Sequence, residues 1–198
     1  MWFNGKFCLF FLVILSCNGP VKLVSTTDSV SGVKHQPLPF KVPEQPDRYV
    51  SIATGTTTPA EIVAFGRTLT GTPYKFGSFD PAVGFDCSGF ITYVFNHFGI
   101  AVPRSSVDFT FVGREVALKD ARPGDLVLFT GTDSSVRIVG HMGIMVSSPG
   151  EEPKFIHSTS GKAMGVTETP LKEYYMTRYV KTIRVFPQND MTSLPISR

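Results

Sequence analysis

Cysteine is scarce in this chain of 198 residues: three, at positions 8, 17 and 87, with no two at the short spacing that pairs metal ligands. A zinc site assembled from Cys87, His141 and His157 is disfavoured on that ground, and no metal or cofactor is expected. Lysine and arginine total 19 against 16 acids, a formal charge of +3, without a basic block of the kind that tracks a phosphate backbone. Nucleic acid is therefore not an expected partner. The apolar run from Phe7 to Leu15 falls far below the roughly 20 residues that a membrane-spanning helix requires. No internal repeat or low-complexity block is visible, and the length suits one well-buried domain with extensions.

What is present begins with an address. Lys6, the Phe7–Leu15 run and the small residues Ser16 and Cys17 have the layout of an export signal. The stretch "ILSC" resembles a bacterial lipobox, in which the signal is removed just before a cysteine that is then acylated. Residues 1–16 are accordingly expected to be the signal and Cys17 the lipidated first residue of an exported, membrane-anchored lipoprotein facing the periplasm or cell envelope. Cys8 leaves with the signal, so Cys87 alone keeps a free thiol. In an oxidising compartment such a thiol is a liability unless buried or used.

Residues 17–57 hold many Ser, Thr, Val, Pro and Gly and show no sustained period, which reads as a flexible tether, with a short strand near Tyr49–Ala53 able to dock. The folded domain is expected over 58–188, followed by a tail at 189–198. Thr58, Pro59 and Glu61 spell a helix start with a capping box, and Gly71 and Pro73 close that segment. A second helix should run from Asp86 or Cys87 to Phe98 with Gly99 as its stop. Cys87, Phe90, Ile91, Val94, Phe95 and Phe98 fall on one face of it. Beyond it, "ARPGDLVLFT", "VGHMGIMVS" and "PKFIHSTS" read as antiparallel strands, "LKEYYMTRYV" as a short helix and "VKTIRVFP" as a last strand. The pattern predicts an α+β domain with helices packed on one side of an antiparallel sheet.

Two readings compete for the cysteine in "GFDCSGFI". The apolar stripe makes it a packed core residue. Its place in the first helical turn makes it a nucleophile, because unpaired N–H groups and the helix dipole there favour a thiolate and lower its pKa. Gly84 and Gly89 leave room for backbone or ligand to come close. A nucleophilic thiol needs a proton carrier. Of four histidines, His35 lies in the tether and His97 almost three turns along the helix, whereas His141 and His157 sit in strands that can flank the helix start. With His141 as base and His157 as its orienter, these residues form a Cys-His-polar arrangement, and the helix start can supply an oxyanion hole.

The blocks "GTPYKFGS", "GFDCSGFITYVFNHFGIAVPRSS", "RPGDLVLF", "GHMGIMV" and "FIHSTSGKAMGV" resemble, in that order, the NlpC-type cysteine peptidases of bacterial cell walls, over about Pro59–Pro187. The resemblance implies a papain-like fold and hydrolysis of peptidoglycan stem peptides, usually between γ-linked D-glutamate and a diamino acid. It implies Cys87 as nucleophile, His141 as base and His157 as third member. It places Tyr74 near the site and gives Asp86, helped by Ser88, the task of holding a free amino end, with Ser106 assisting. Other roles fit equally for two of these, a helix cap for Asp86 and an aromatic wall for Tyr74, while Arg104 reads as a structural ion-pair partner and Asp125 as a turn and cap residue.

The loops "TGTDSSVRIVG" and "SSPGEEPK" are longer than the minimal family pattern and are expected to border the groove, which leaves the register of His157 less fixed than that of His141. A wall amidase and a non-catalytic wall-binding lipoprotein are the alternatives on the same fold. The protein is expected to act as a monomer on stem peptides.

Overall fold

The computed structural model describes residues 36–40 and 49–191. The signal, Cys17 and His35 lie outside the described residues. Helix α1 spans Pro59–Thr68, and its start is the expected one: the Thr58 side chain accepts from the Glu61 N–H while Glu61 reaches back to the Thr58 N–H. Two short strands, β1 (Phe79–Asp80) and β2 (Gly84–Phe85), pair just ahead of helix α2 (Cys87–His97). Then come β3 (Arg114–Val116), β4 (Leu126–Thr130), β5 (Val139–Met145), β6 (Lys154–Thr159) and β7 (Gly165–Pro170). Helix α3 (Glu173–Arg178), β8 (Tyr179–Arg184) and α4 (Gln188–Met191) complete the described chain.

The six longer-range strands form one antiparallel sheet in the order β3-β8-β4-β5-β6-β7. Alternation along β4 explains why both faces are covered. Leu126 and Leu128 join Met142, Ile144 and Ile156 in the core beneath α1 and α2, while Val127 and Phe129 join Met145 and Phe155 in a second cluster under Tyr175 of α3. The α+β architecture is as expected. The refinement is that α1 and α2 share one face whereas α3 covers the other, because the strands carry apolar residues at consecutive positions rather than at alternate ones. Phe90, Ile91, Val94 and Phe95 of α2 are fully withdrawn from water, each contributing roughly 1.5–3 kcal/mol of transfer free energy.

Packing starts before Thr58. Ile52 lies in the core, Val50 bridges Val112, and Leu38 donates its N–H to Asn96 Oδ1 at 3.0 Å. Near Tyr49–Ala53 the chain docks by this single bridge and not by a strand. At the other end, α4 continues past 188 and buries Asn189. Strands β3 and β7 escape the sequence reading, since "REV" and "GVTETP" carry little apolar alternation. Among the described residues no helix is long and apolar enough to cross a membrane.

Candidate active site

Chain geometry ahead of α2 fixes where the sulfur goes. Gly84 adopts φ +126°, and a Cβ there would sit 2.4 Å from the Pro73 carbonyl oxygen; one at Gly89 would sit 2.1 Å from that of Ser78. Both glycines thus admit backbone, not a ligand. The Phe85 N–H donates to Pro73 O at 2.9 Å, and the Asp86 N–H donates to Ser78 O at 2.9 Å, so the helix start is clamped on the segment that carries Tyr74. Asp86 is the helix cap, its Oδ1 accepting from the Gly89 N–H at 2.5 Å.

Arg104 completes this corner. Its Nη1 donates to Asp86 Oδ1 at 3.0 Å and to Ser88 Oγ at 3.0 Å, and its Nη2 donates to Asp86 Oδ2 at 2.8 Å. Both carboxylate oxygens are therefore engaged by the fold itself, and a planar fork holds them more firmly than a point charge would.

The histidines come from neighbouring strands on the sheet face that α3 covers. His141 lies opposite Phe129 in the β4–β5 register, and its Nε2 is 2.8 Å from His157 Nδ1. His157 Nε2 is in turn 3.0 Å from Thr169 Oγ1 on β7. The Ser158 hydroxyl donates to Phe85 O at 2.7 Å, tying the His157 strand to the residues just before Cys87. Phe129 and Tyr175 flank the His141 ring, with centroids 5.9 and 6.1 Å away. The sequence reading missed Thr169, Tyr175 and Arg178; none stands in a motif, and only the sheet order and the fold of α3 bring them here.

Electrostatics overturn one expectation. The first-turn position was expected to lower the Cys87 pKa, but burial and the neighbouring Asp86 carboxylate push it up to about 11, against backbone N–H groups that favour the thiolate. Burial, then His157 and the Arg178 cation, hold His141 well below its ordinary value. Burial and Arg178 take His157 down to about 3. The resting pair is thus a neutral thiol and a neutral imidazole.

A cavity of about 310 Å³ opens here, lined among others by Tyr74, Cys87, His141, Tyr174, Tyr175 and Arg178. Cys87 is half-buried and the one free cysteine among the described residues, with its Sγ 3.9 Å from Gly140 O. The structure brings together Cys87, His141, His157 and Tyr74. Asp86 and Ser88 lie beside them behind Arg104, and Ser106 opens a 3-10 turn at Ser106–Phe111 without lining the cavity. Of the two loops expected at the groove, the first contributes Gly131, Thr132 and Gly140 and the second nothing. Two concavities of similar size lie around Arg114 and Arg184 and hold neither thiol nor imidazole. Among the described residues no group of three His, Cys, Asp or Glu side chains is arranged to hold a metal ion.

A family model described as the NlpC/P60 family matches residues 71–185. The gamma-DL-glutamyl hydrolase of Bacillus subtilis is 29% identical over 145 residues, covering 73% of this chain and 34% of that protein. The gamma-D-glutamyl-L-lysine dipeptidyl-peptidase of the same organism is 32% identical over 124 residues, 61% of this chain and 40% of its own length. The crystal structure of the NlpC/p60 domain of peptidoglycan hydrolase SagA superposes with a TM-score of 0.53 at 26% identity, covering 65% of this chain and 99% of that domain. The chain spans well under half the length of these two curated relatives.

Proposed function

The chain belongs to the NlpC/P60 family, and from that premise we propose that it is a cysteine endopeptidase that hydrolyses peptidoglycan stem peptides at the bond following a γ-linked glutamyl residue. One observation carries the reading: the Cys87 thiol and the His141 ring line one cavity, and the far nitrogen of that ring is held by His157. The names of the two Bacillus relatives support the γ-glutamyl bond, and that of the SagA domain supports peptidoglycan.

The hydrogen-bond chain can run in either direction, and the mechanism uses one of the two: with His141 Nε2–H donating to His157 Nδ1 and His157 Nε2–H donating to Thr169 Oγ1, His141 Nδ1 carries the lone pair that acts as base. Because the thiol is protonated at rest, His141 takes its proton as Sγ attacks the carbonyl carbon. Backbone N–H groups at the start of α2 receive the oxyanion. The imidazolium then protonates the departing amine as the C–N bond breaks, leaving a thioester. Water, deprotonated by His141, hydrolyses that thioester and restores the thiol. Tyr74, which lines the cavity, serves substrate binding in this scheme. Asp86 and Ser88 serve first as cap and anchor for Arg104.

Purified protein incubated with muropeptides should release shorter stems, and Cys87→Ala should lose that release with its melting temperature kept. An alanine variant that cleaves as fast overturns the assignment, and the mass of each new amine identifies the bond cut. The N-terminal reading is carried by sequence alone: residues 1–16 as export signal and Cys17 as lipid acceptor, checked by whether Cys17→Ala moves the protein from membrane to soluble fraction.

A further inference from the structure

Arg178 is the residue for which the scheme above has no use. It is 6% exposed, yet it lines the cavity that holds Cys87 and His141, and it is the one formally charged side chain among the described lining residues. Its Nε donates to Gly131 O at 2.7 Å, its Nη2 to Thr130 O at 2.9 Å and its Nη1 to the Tyr174 hydroxyl at 2.8 Å. Tyr174 and Tyr175 stack against it, with centroids 5.0 and 5.7 Å from its Cζ. Three of its five N–H groups are used, and none of the ion pairs among the described residues includes it. A buried guanidinium with neutral partners only is costly, and its fork matches a carboxylate.

We propose that Arg178 is a specificity residue that binds a substrate carboxylate inside the cleft, beside the reacting thiol. This deepens the proposed function and rests on it for the identity of the carboxylate. A glutamyl residue linked through its γ-carboxyl keeps its α-carboxyl free, a short chain away from the scissile carbonyl. A cleft that offers one cation and no anion at that place favours the free acid over its carboxamide, which has the same shape and no charge. Neutralising Arg178 also removes one of the influences that hold His141 unprotonated, so the bound acid makes the base stronger at the moment of reaction.

Two small alkylating agents read this without any turnover. Iodoacetate carries a carboxylate and iodoacetamide does not, and each reacts with the Cys87 thiol, followed on the Cys87 peptide by mass spectrometry. The iodoacetate-to-iodoacetamide rate ratio should drop about tenfold from wild type to Arg178→Met, with Arg178→Lys between them. Equal ratios in wild type and Arg178→Met overturn the proposal. In the second arm, a γ-glutamyl stem peptide is compared with its α-carboxamide. Preference for the acid in wild type, lost in Arg178→Met, is the expected result, whereas equal cleavage by wild type overturns it. A purely structural arginine would slow both peptides alike. Failure to cleave either peptide counts against the proposed function, and the alkylation ratio then decides the role of Arg178 alone.

Discussion

Arg178 and Arg184 stand a few residues apart and are equally withdrawn from water, 6% and 7% exposed, yet they meet different company. Arg184 donates Nε and Nη2 to the two oxygens of Asp125 at 3.0 and 2.8 Å, Nη1 to Asp190 at 2.8 Å and to Asn189 O, and Nη2 to Asp120 O. Asp125, fully buried, also accepts from the Arg122 N–H and from Asn189, so the expected turn residue doubles as one half of an internal ion pair. This cluster is complete and joins the end of β8 to α4 and the turn before β4. The cluster around Arg178 is incomplete in the same terms, and it faces the cavity that holds Cys87 and His141. A fold that supplies a carboxylate to one buried cation and withholds it from the next has left the second for something that arrives from outside. Arg104 makes a third case: its partner Asp86 is internal, so that pair is complete within the fold.

The contrast is broken most forcefully from the structural side. Asp125→Ala takes from Arg184 its buried carboxylate and leaves it only the half-exposed Asp190, and should lower unfolding free energy in urea by about 3–5 kcal/mol while activity per folded molecule is unchanged. A loss of activity with stability intact would mean that the two clusters are not separable. Acid sharpens the contrast from the other side. The His157 pKa is about 3 in the fold and near 6.5 unfolded, so the folded state binds fewer protons between those values. Stability is fully present above about pH 6.5 and falls as pH drops from there toward 3, by an amount on the order of a few kcal/mol, with His141 acting in the same direction. Urea curves at pH 7, 6, 5 and 4 should show this fall in wild type and, by the same amount, in Asp125→Ala; a flat profile would remove the case for neutral buried imidazoles. The smallest effect belongs to Thr169→Val. It takes the hydroxyl from His157 Nε2 and should cost about 1 kcal/mol in stability and a few-fold in kcat, with KM unchanged and Thr169→Ser restoring the rate.

Much of this was legible before any coordinates. The Thr58–Glu61 capping box, the apolar face of α2, the stop at Gly99 and the strands around His141 and His157 all follow from local chemistry and period, and all stand where expected. The cysteine and the two histidines could be named because each sits in a recurring local context. Less legible were residues that act at a distance. Thr169 reaches His157 only because β7 pairs with β6, and Arg178 enters the cleft only because α3 folds over the sheet face opposite α2. The protonation state of Cys87 was misjudged for a related reason: a first-turn position announces a dipole, while burial and the Asp86 charge depend on what the rest of the chain packs around it.

The linear order of residues determined the α+β plan and singled out the candidate cysteine and imidazoles, since propensity, capping and hydrophobic period are properties of neighbours along the chain. Tertiary structure decided which buried charges were paired, which nitrogen of His141 met His157 and which arginine looked into the cleft. Those outcomes depend on desolvation and on contacts between segments many residues apart, quantities that no local stretch carries.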